Sequence, residues 1–195
     1  NKIKIGKNSE LHCLEFVVND SKRNFFNNVY EDIILDDSAI LKNICLQNSK
    51  SSGYFHKYSK NKLSSQSNLT SFIFPTGLKF NKLDLEINLE GERSECNLQS
   101  ASFLNNNEHQ EVKTRVNHLF PNCKSYQKVK NVLTADSKGV YQGKIFVKDV
   151  AQKTDAYQLS KAILLSEGSE FDSKPELEIY ADDVKCSHGS TSGSL

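Results

Sequence analysis

The 195 residues carry 25 basic and 24 acidic side chains, a formal charge of +1, with 37% hydrophobic residues. That is enough for one domain with its own core, and it lacks the positive excess and aromatic-studded basic run of a nucleic-acid binder. The longest apolar runs, such as Ala162 to Leu165, are far too short to cross a bilayer, and no charged-then-apolar leader opens the chain.

In chain order, Ile3 and Ile5 make a short strand ahead of a polar turn from Gly6 to Glu10, and Leu11 to Val18 returns to extended, apolar-rich sequence. The same phrase recurs. Ile33 to Leu35 is followed by Asp36-Asp37-Ser38, Ile87 to Leu89 by Glu90-Gly91-Glu92, and Ile163 to Leu165 by Ser166-Glu167-Gly168. The last apolar residues before these turns, Ile5, Leu35, Leu89 and Leu165, fall near one, two and three steps of roughly 25 to 30 residues, as expected for stacked coils of a β-solenoid. A sandwich of short strands would produce similar alternation, so the pattern itself reads as all-β with stacked rungs preferred.

Asn48 to Ser71 is rich in Ser, Asn and Lys around Tyr54, Phe55 and Tyr58, and reads as a wide loop or a poorly patterned strand pair. Phe72 to Phe74 before Pro75-Thr76-Gly77 reads as a strand ending in a turn, and Asn105-Asn106-Asn107 as a polar break. Beyond it Val112, Thr114, Val116 and His118 alternate, followed by Tyr126, Lys128 and Lys130 opposite Val129 and Val132. From Pro175 to Tyr180, Leu177 and Ile179 alternate with Glu176, Glu178 and Tyr180, a strand with one buried face.

Few residues suggest chemistry. Gly139-Val140-Tyr141-Gln142-Gly143-Lys144 has three residues between its glycines where a phosphate loop needs four, and Ile145 where it needs Ser or Thr. A turn between two strands is expected there, with no ATP hydrolysis. Asp182 and Asp183 are adjacent and so face opposite sides of an ideal strand, one outward and one in a turn or hydrogen bond. A polysaccharide-cleaving solenoid would instead align acids from successive rungs on one face, and a purely structural solenoid would need no polar site.

Cysteines stand singly at 13, 45, 96, 123 and 186, without paired short spacings, which fits reduced thiols in a cytosol-like compartment. Cys13, Cys45, Cys96 and Cys123 read as small buried hydrophobes. His118, near Cys123 across Pro121, reads as a hydrogen-bonded structural histidine. Cys186 and His188 are the sharpest feature. Two apart on an extended chain, they point the same way, and thiolate with imidazole suits zinc or iron, although two ligands do not close a four-coordinate site. Strict alternation from Leu177 and Ile179 puts this pair on the opposite face, unless a bend at Asp182-Asp183 resets the parity.

Leu177-Glu178-Ile179-Tyr180-Ala181-Asp182-Asp183-Val184-Lys185-Cys186-Ser187-His188-Gly189, with Tyr141-Gln142-Gly143-Lys144-Ile145 and Ala151-Gln152-Lys153-Thr154-Asp155-Ala156 upstream, strongly resembles the SufB/SufD family of iron-sulfur cluster assembly proteins. Its Cys186-Ser187-His188-Gly189 variant resembles the SufD rather than the SufB type. The resemblance is close from about Asn107 onward and looser but collinear before. It implies a right-handed parallel β-helix, with residues 1–195 a single core domain and the family's flanking helical regions absent. The lack of any Met likewise suggests a piece of a longer protein. On such a helix Ala151 to Glu167, despite its helix formers, lies in strands.

The resemblance further implies a non-enzymatic scaffold subunit of the SUF system, working with SufB-like and SufC-like subunits in the cytoplasm or a plastid stroma. The SufC ATPase would reshape the interface with SufB so that a cluster assembles transiently there. His188 would act with a Cys of SufB in building the nascent cluster, and Cys186 would lie close to the same interface. No cofactor is expected to stay bound to the isolated chain, which would bind SufC poorly and is a candidate to dimerise through its terminal rungs.

Overall fold

The computed structural model describes residues 1–19 and 24–194, and of residues 19 and 48–52 the backbone alone. About three-quarters of the described residues, 74%, are strand, with no helix among them, wound into a parallel β-solenoid of about 6 turns. The strands are β1 (Lys2–Ile5), β2 (Glu10–Asn19), β3 (Phe26–Leu35), β4 (Ile40–Leu63), β5 (Asn68–Leu89), β6 (Glu95–Leu104), β7 (His109–His118), β8 (Lys124–Leu133), β9 (Lys138–Val147), β10 (Thr154–Leu164), β11 (Glu170–Ile179) and β12 (Val184–Ser194).

Pairing divides them into two parallel layers. The first runs β2, the start of β4, the start of β5, β6, β8, β10, β12. The second runs β1, β3, the end of β4, the end of β5, β7, β9, β11. The long strands β4 and β5 thus belong to both layers. In β5 the chain changes layer at Pro75 to Gly77, where Gly77 takes φ 84°. The turn expected at Pro75-Thr76-Gly77 is therefore a bend inside one strand, and Asn48 to Ser71 is mostly strand.

Along β6 to β10 every second side chain is buried between the layers, whereas no side chain of the end strands β11 and β12 is buried. In β8, Ser125, Gln127, Val129, Asn131 and Leu133 face in and Tyr126, Lys128 and Lys130 face out. Val132 shares the outward side rather than standing opposite the lysines, since its position has their parity. One interior column runs Ile5, Leu35, Leu63, Leu89, His118, Val147 and Ile179, in steps of 26 to 32 residues. Ile5, Leu35 and Leu89 occupy it as expected. Leu165 does not, because it follows β10 at the opposite corner, where Leu104, Leu133 and Leu164 are in register.

The corner ahead of β2, β4, β5, β6, β8 and β10 repeats one geometry. Asn8, Ser38, Gln66, Arg93, Asn122 and Lys153 all adopt φ between 55° and 61°. This left-handed conformation costs a non-glycine residue roughly 1–2 kcal/mol. Each of these residues donates its N–H to a carbonyl one rung on, for example Ser38 to Ser65 at 2.9 Å and Asn122 to Gln152 at 2.9 Å. The next position is small and faces in: Ala39, Ser67, Ser94, Cys123 and Thr154 are all buried. Cys123 thus takes a small-residue place, its Sγ 3.4 Å from Ser94 Oγ.

Gly139 and Gly143 lie inside β9 rather than in a turn. Gly143 faces in, and a Cβ there would collide with Gln158 and the hydroxyl of Tyr141. Its missing side chain makes room for a fully buried tyrosine, whose hydroxyl lies 3.2 Å from Thr114 Oγ1. Ala151 to Glu167 contains β10 and no helix. Its inward residues Ala156, Gln158, Ser160 and Ala162 alternate with period two, so the layer overrides helix propensity.

Candidate functional site

The pair singled out in the sequence sits on β12, the last strand of the first layer, which is in register with β10 along its whole length. Between β11 and β12 the chain turns through Tyr180 to Asp183. Tyr180 N–H donates to Val147 O at 2.9 Å, Asp183 N–H to Gln152 Oε1 at 2.9 Å, and buried Ala181 plugs the interior. This turn resets the parity. Leu177 from β11 and Val184 and Cys186 from β12 pack against one cluster formed by Ile145, Val147, Ala151, Ala156 and Ala181.

Cys186 is in register with Ala156 and His188 with Gln158, both inward positions of β10. Both site residues therefore face the end of the solenoid interior, two residues apart on one side of β12. Cys186 is half-buried and His188 exposed. Burial pushes the Cys186 thiol above its ordinary pKa, the Asp155 carboxylate adds to this, and a backbone hydrogen bond from Ala156 opposes it. The thiol is therefore held protonated at neutral pH, and binding a metal would first have to displace its proton. Among the described residues no group of three or more His, Cys, Asp or Glu side chains comes together as a metal site. A cluster built here would need further donors from outside the described residues.

Beneath His188 lies a feature that the sequence reading did not pick out. Gln158 and, one strand further, Gln127 are fully buried in the same column. Gln158 Nε2 donates to Gly143 O at 3.2 Å, while Gln158 Oε1 and both amide atoms of Gln127 have no hydrogen-bond partner. Their signal in the sequence was a glutamine at the inward parity of each strand, visible once the rungs are aligned.

The other candidates resolve into structural roles. Asp182 and Asp183 are both exposed in the turn, and the Asp183 carbonyl accepts the Lys153 N–H. Acids on the outer side of the second layer are tied to cations, as in Lys82–Glu111 at 3.2 Å, Lys60–Glu86 at 3.9 Å and Lys138–Asp172 at 3.0 Å. His118 is fully buried with Nε2 2.9 Å from Ser125 Oγ, and burial lowers its pKa to about 4. Cys45, Cys96 and Cys123 are buried and Cys13 partly so, all four as free thiols.

The family model for the SUF system FeS cluster assembly SufBD core domain matches residues 1–195. The chain is 38% identical over 107 residues to the iron-sulfur cluster assembly protein SufD of Escherichia coli, covering 55% of this chain and 25% of that protein. It is 26% identical over 171 residues to an iron-sulfur cluster assembly SufBD family protein of Synechocystis, 88% of this chain and 38% of the relative. It is also 26% identical over 182 residues to the chloroplastic protein ABCI7 of Arabidopsis thaliana, 93% of this chain and 38% of the relative. The chain thus spans a quarter to two-fifths of the length of these relatives. With its whole length matched by the SufBD core model and a parallel β-solenoid as its fold, this chain belongs to the SufB/SufD family.

Proposed function

We propose that this chain is the solenoid core of a SufD-like scaffold subunit of the SUF iron-sulfur cluster assembly complex. It catalyses no reaction of its own. It supports assembly of a cluster at its interface with a SufB-like subunit, under the control of a SufC-like ATPase. The cluster is cargo, completed by donors from both chains and passed on. The protein works in the cytoplasm, or in a plastid stroma as the chloroplastic relative suggests.

The observation that carries this reading is that Cys186 and His188 lie side by side, facing the end of the interior on the last strand, with too few donors among the described residues to close a site alone. His188, exposed, supplies the imidazole. Cys186, half-buried with its thiol protonated, is the secondary donor. Acids neutralised by rung-to-rung ion pairs with lysines speak against a carbohydrate-cleaving solenoid, which needs unpaired carboxylates flanking a bond.

The test is cluster formation on the complex reconstituted from the full-length protein with SufB and SufC. With His188→Ala, the iron-sulfur absorbance is expected to be lost while the complex still assembles. An unchanged yield would reduce the pair to architecture and leave a purely structural solenoid.

A further inference from the structure

Gln127 on β8, Gln158 on β10 and His188 on β12 form one inward column, each in register with the next. Neighbouring strands lie about 4.8 Å apart, so Gln158 and His188 stand side by side. A hydrocarbon would serve the fold in this column, since Leu98 on β6 is in register with Gln127 and is buried. An unpaired buried polar atom costs roughly 1–3 kcal/mol. Packing therefore gives no reason for two amides beneath His188.

Gln158 is held in a fixed pose. Its Nε2 donates to Gly143 O at 3.2 Å. A carbonyl only accepts, so this bond settles which end of the amide is nitrogen and leaves Oε1 as the free end. Gly143 has no Cβ, and one there would collide with the Gln158 amide and with the Tyr141 hydroxyl, so the opposite layer is shaped around this side chain. Oε1 is buried and accepts no hydrogen bond from the described residues. Two residues flank it along the column. Gln127, one strand deeper, is fully buried, and neither of its amide atoms reaches a partner. His188, one strand outward, is exposed, so its ring can turn over Gln158.

We propose that Gln158 is a positioning residue for His188: its Oε1 accepts the N–H of one ring nitrogen and leaves the other, with its lone pair, facing out from the end of the solenoid. This role rests on His188 being a donor to the nascent cluster, as proposed above. A neutral imidazole carries its proton on one nitrogen and a lone pair on the other, and only the second can bind iron. Histidines that bind metals usually give their remaining N–H to a carbonyl or carboxylate, which fixes the tautomer, and losing that partner costs about 10–100-fold in affinity or activity. The inward neighbours of His188 on β12 are engaged elsewhere. Ser190 Oγ accepts from Ser160 Oγ at 2.9 Å, and Cys186 packs into the apolar cluster.

The experiment takes the full-length protein with isotopically labelled histidine ring nitrogens, observed by NMR at alkaline pH, where imidazole is neutral. The His188 signals are assigned by their loss in His188→Ala. In the wild type the two ring nitrogens are expected to give widely separated shifts, one protonated and one not. In Gln158→Met the shifts should move toward each other as both tautomers become populated. Cluster yield on the complex with SufB and SufC should then fall about tenfold or more, while the complex still assembles. Gln158→Leu, with the residue type found at position 98, gives the same reading if methionine packs badly. Gln127→Met, one strand deeper, should move neither the shifts nor the yield. Averaged shifts in the wild type, shifts indifferent to loss of the Gln158 amide, an equal change in Gln127→Met, or full yield in Gln158→Met where His188→Ala abolishes it would each overturn the proposal. Full yield in His188→Ala would instead overturn the donor role of His188, and the ring shifts would still decide whether Gln158 holds the ring.

Discussion

The early and late rungs of this solenoid solve one problem in two ways. Both layers turn polar side chains inward, because a strand alternates whether or not its inward positions are apolar. In the early rungs the interior holds a charge: Lys57 lies 3.0 Å from Glu15 and 3.1 Å from Glu31, with the Lys57 and Glu31 side chains 7% and 6% exposed. Ser59 Oγ donates to Glu31 at 3.0 Å and Asn61 Nδ2 to Ser59 Oγ at 3.2 Å. Burial opposes the ammonium, but the carboxylates of Glu31 and Glu15 outweigh it and hold the Lys57 pKa above its ordinary value. In the late rungs the interior is polar and uncharged, built from Gln127, Tyr141, Gln158, Ser160 and a neutral His118. A neutral group needs only hydrogen-bond partners, whereas a buried charge also needs its counter-charge. The early rungs are therefore the more easily broken by a single substitution.

Lys57→Met gives the largest expected effect. It leaves the buried Glu31 carboxylate without its counter-ion, which should cost about 3–5 kcal/mol. The urea midpoint is expected to fall by that energy divided by the slope, with the slope unchanged. The double variant Lys57→Met with Glu31→Gln should recover most of it. A single-variant loss below about 1 kcal/mol, the level of an exposed pair, would mean that the early rungs tolerate an unpaired charge and that the contrast fails.

His118 tests the uncharged half. Its folded-state pKa of about 4 lies below the 6.5 of an unperturbed histidine. As pH falls through 6.5 the unfolded chain takes up a proton that the folded chain refuses, so stability drops until the folded pKa is reached near 4. At 1.36 kcal/mol per unit, this group should remove about 3 kcal/mol across that window. His118→Leu should flatten the slope there, since Leu89 and Val147 flank the position in its column. Ser125 then loses its partner, so a cost of roughly 1 kcal/mol is expected at neutral pH. An unaltered slope between pH 6.5 and 4 would show that the acid sensitivity arises elsewhere.

The strand content and the inward-outward order were largely legible in the sequence, because period-two alternation is local. Ile5, Leu35 and Leu89 even disclosed the rung length. What escaped was which corner a residue serves: Leu165 looks like Leu89 but closes the other side, since a solenoid rung has two corners with similar turns. The bend at Pro75 to Gly77 was hidden because two halves of one strand can join different layers. At the site, the shared face of Cys186 and His188 followed from spacing alone, while their inward aim depended on the turn at Tyr180 to Asp183. Gln127 and Gln158 beneath them became visible only once β8, β10 and β12 were in register, as contacts about 30 residues apart leave no local trace.

The smallest effect addresses what both halves share, the left-handed corner. Gln66 lies in the early rungs and Lys153 in the late ones, at φ 59° in both cases. Glycine removes a left-handed penalty of roughly 1–2 kcal/mol and returns about 0.4–1 kcal/mol through the greater freedom of the unfolded chain. Lys153→Gly should therefore stabilise by about 0.5 kcal/mol, read as a rise of roughly 1–2 °C in Tm. Gln66→Gly should gain less, because Gln66 Oε1 accepts a 3.3 Å hydrogen bond from Ser38 Oγ that glycine cannot offer. Equal gains would make that bond energetically silent. A loss at both positions would mean that the carbonyl ladder one rung on has already offset the backbone strain, so that both ends of the solenoid share a relaxed corner and differ in their interiors alone.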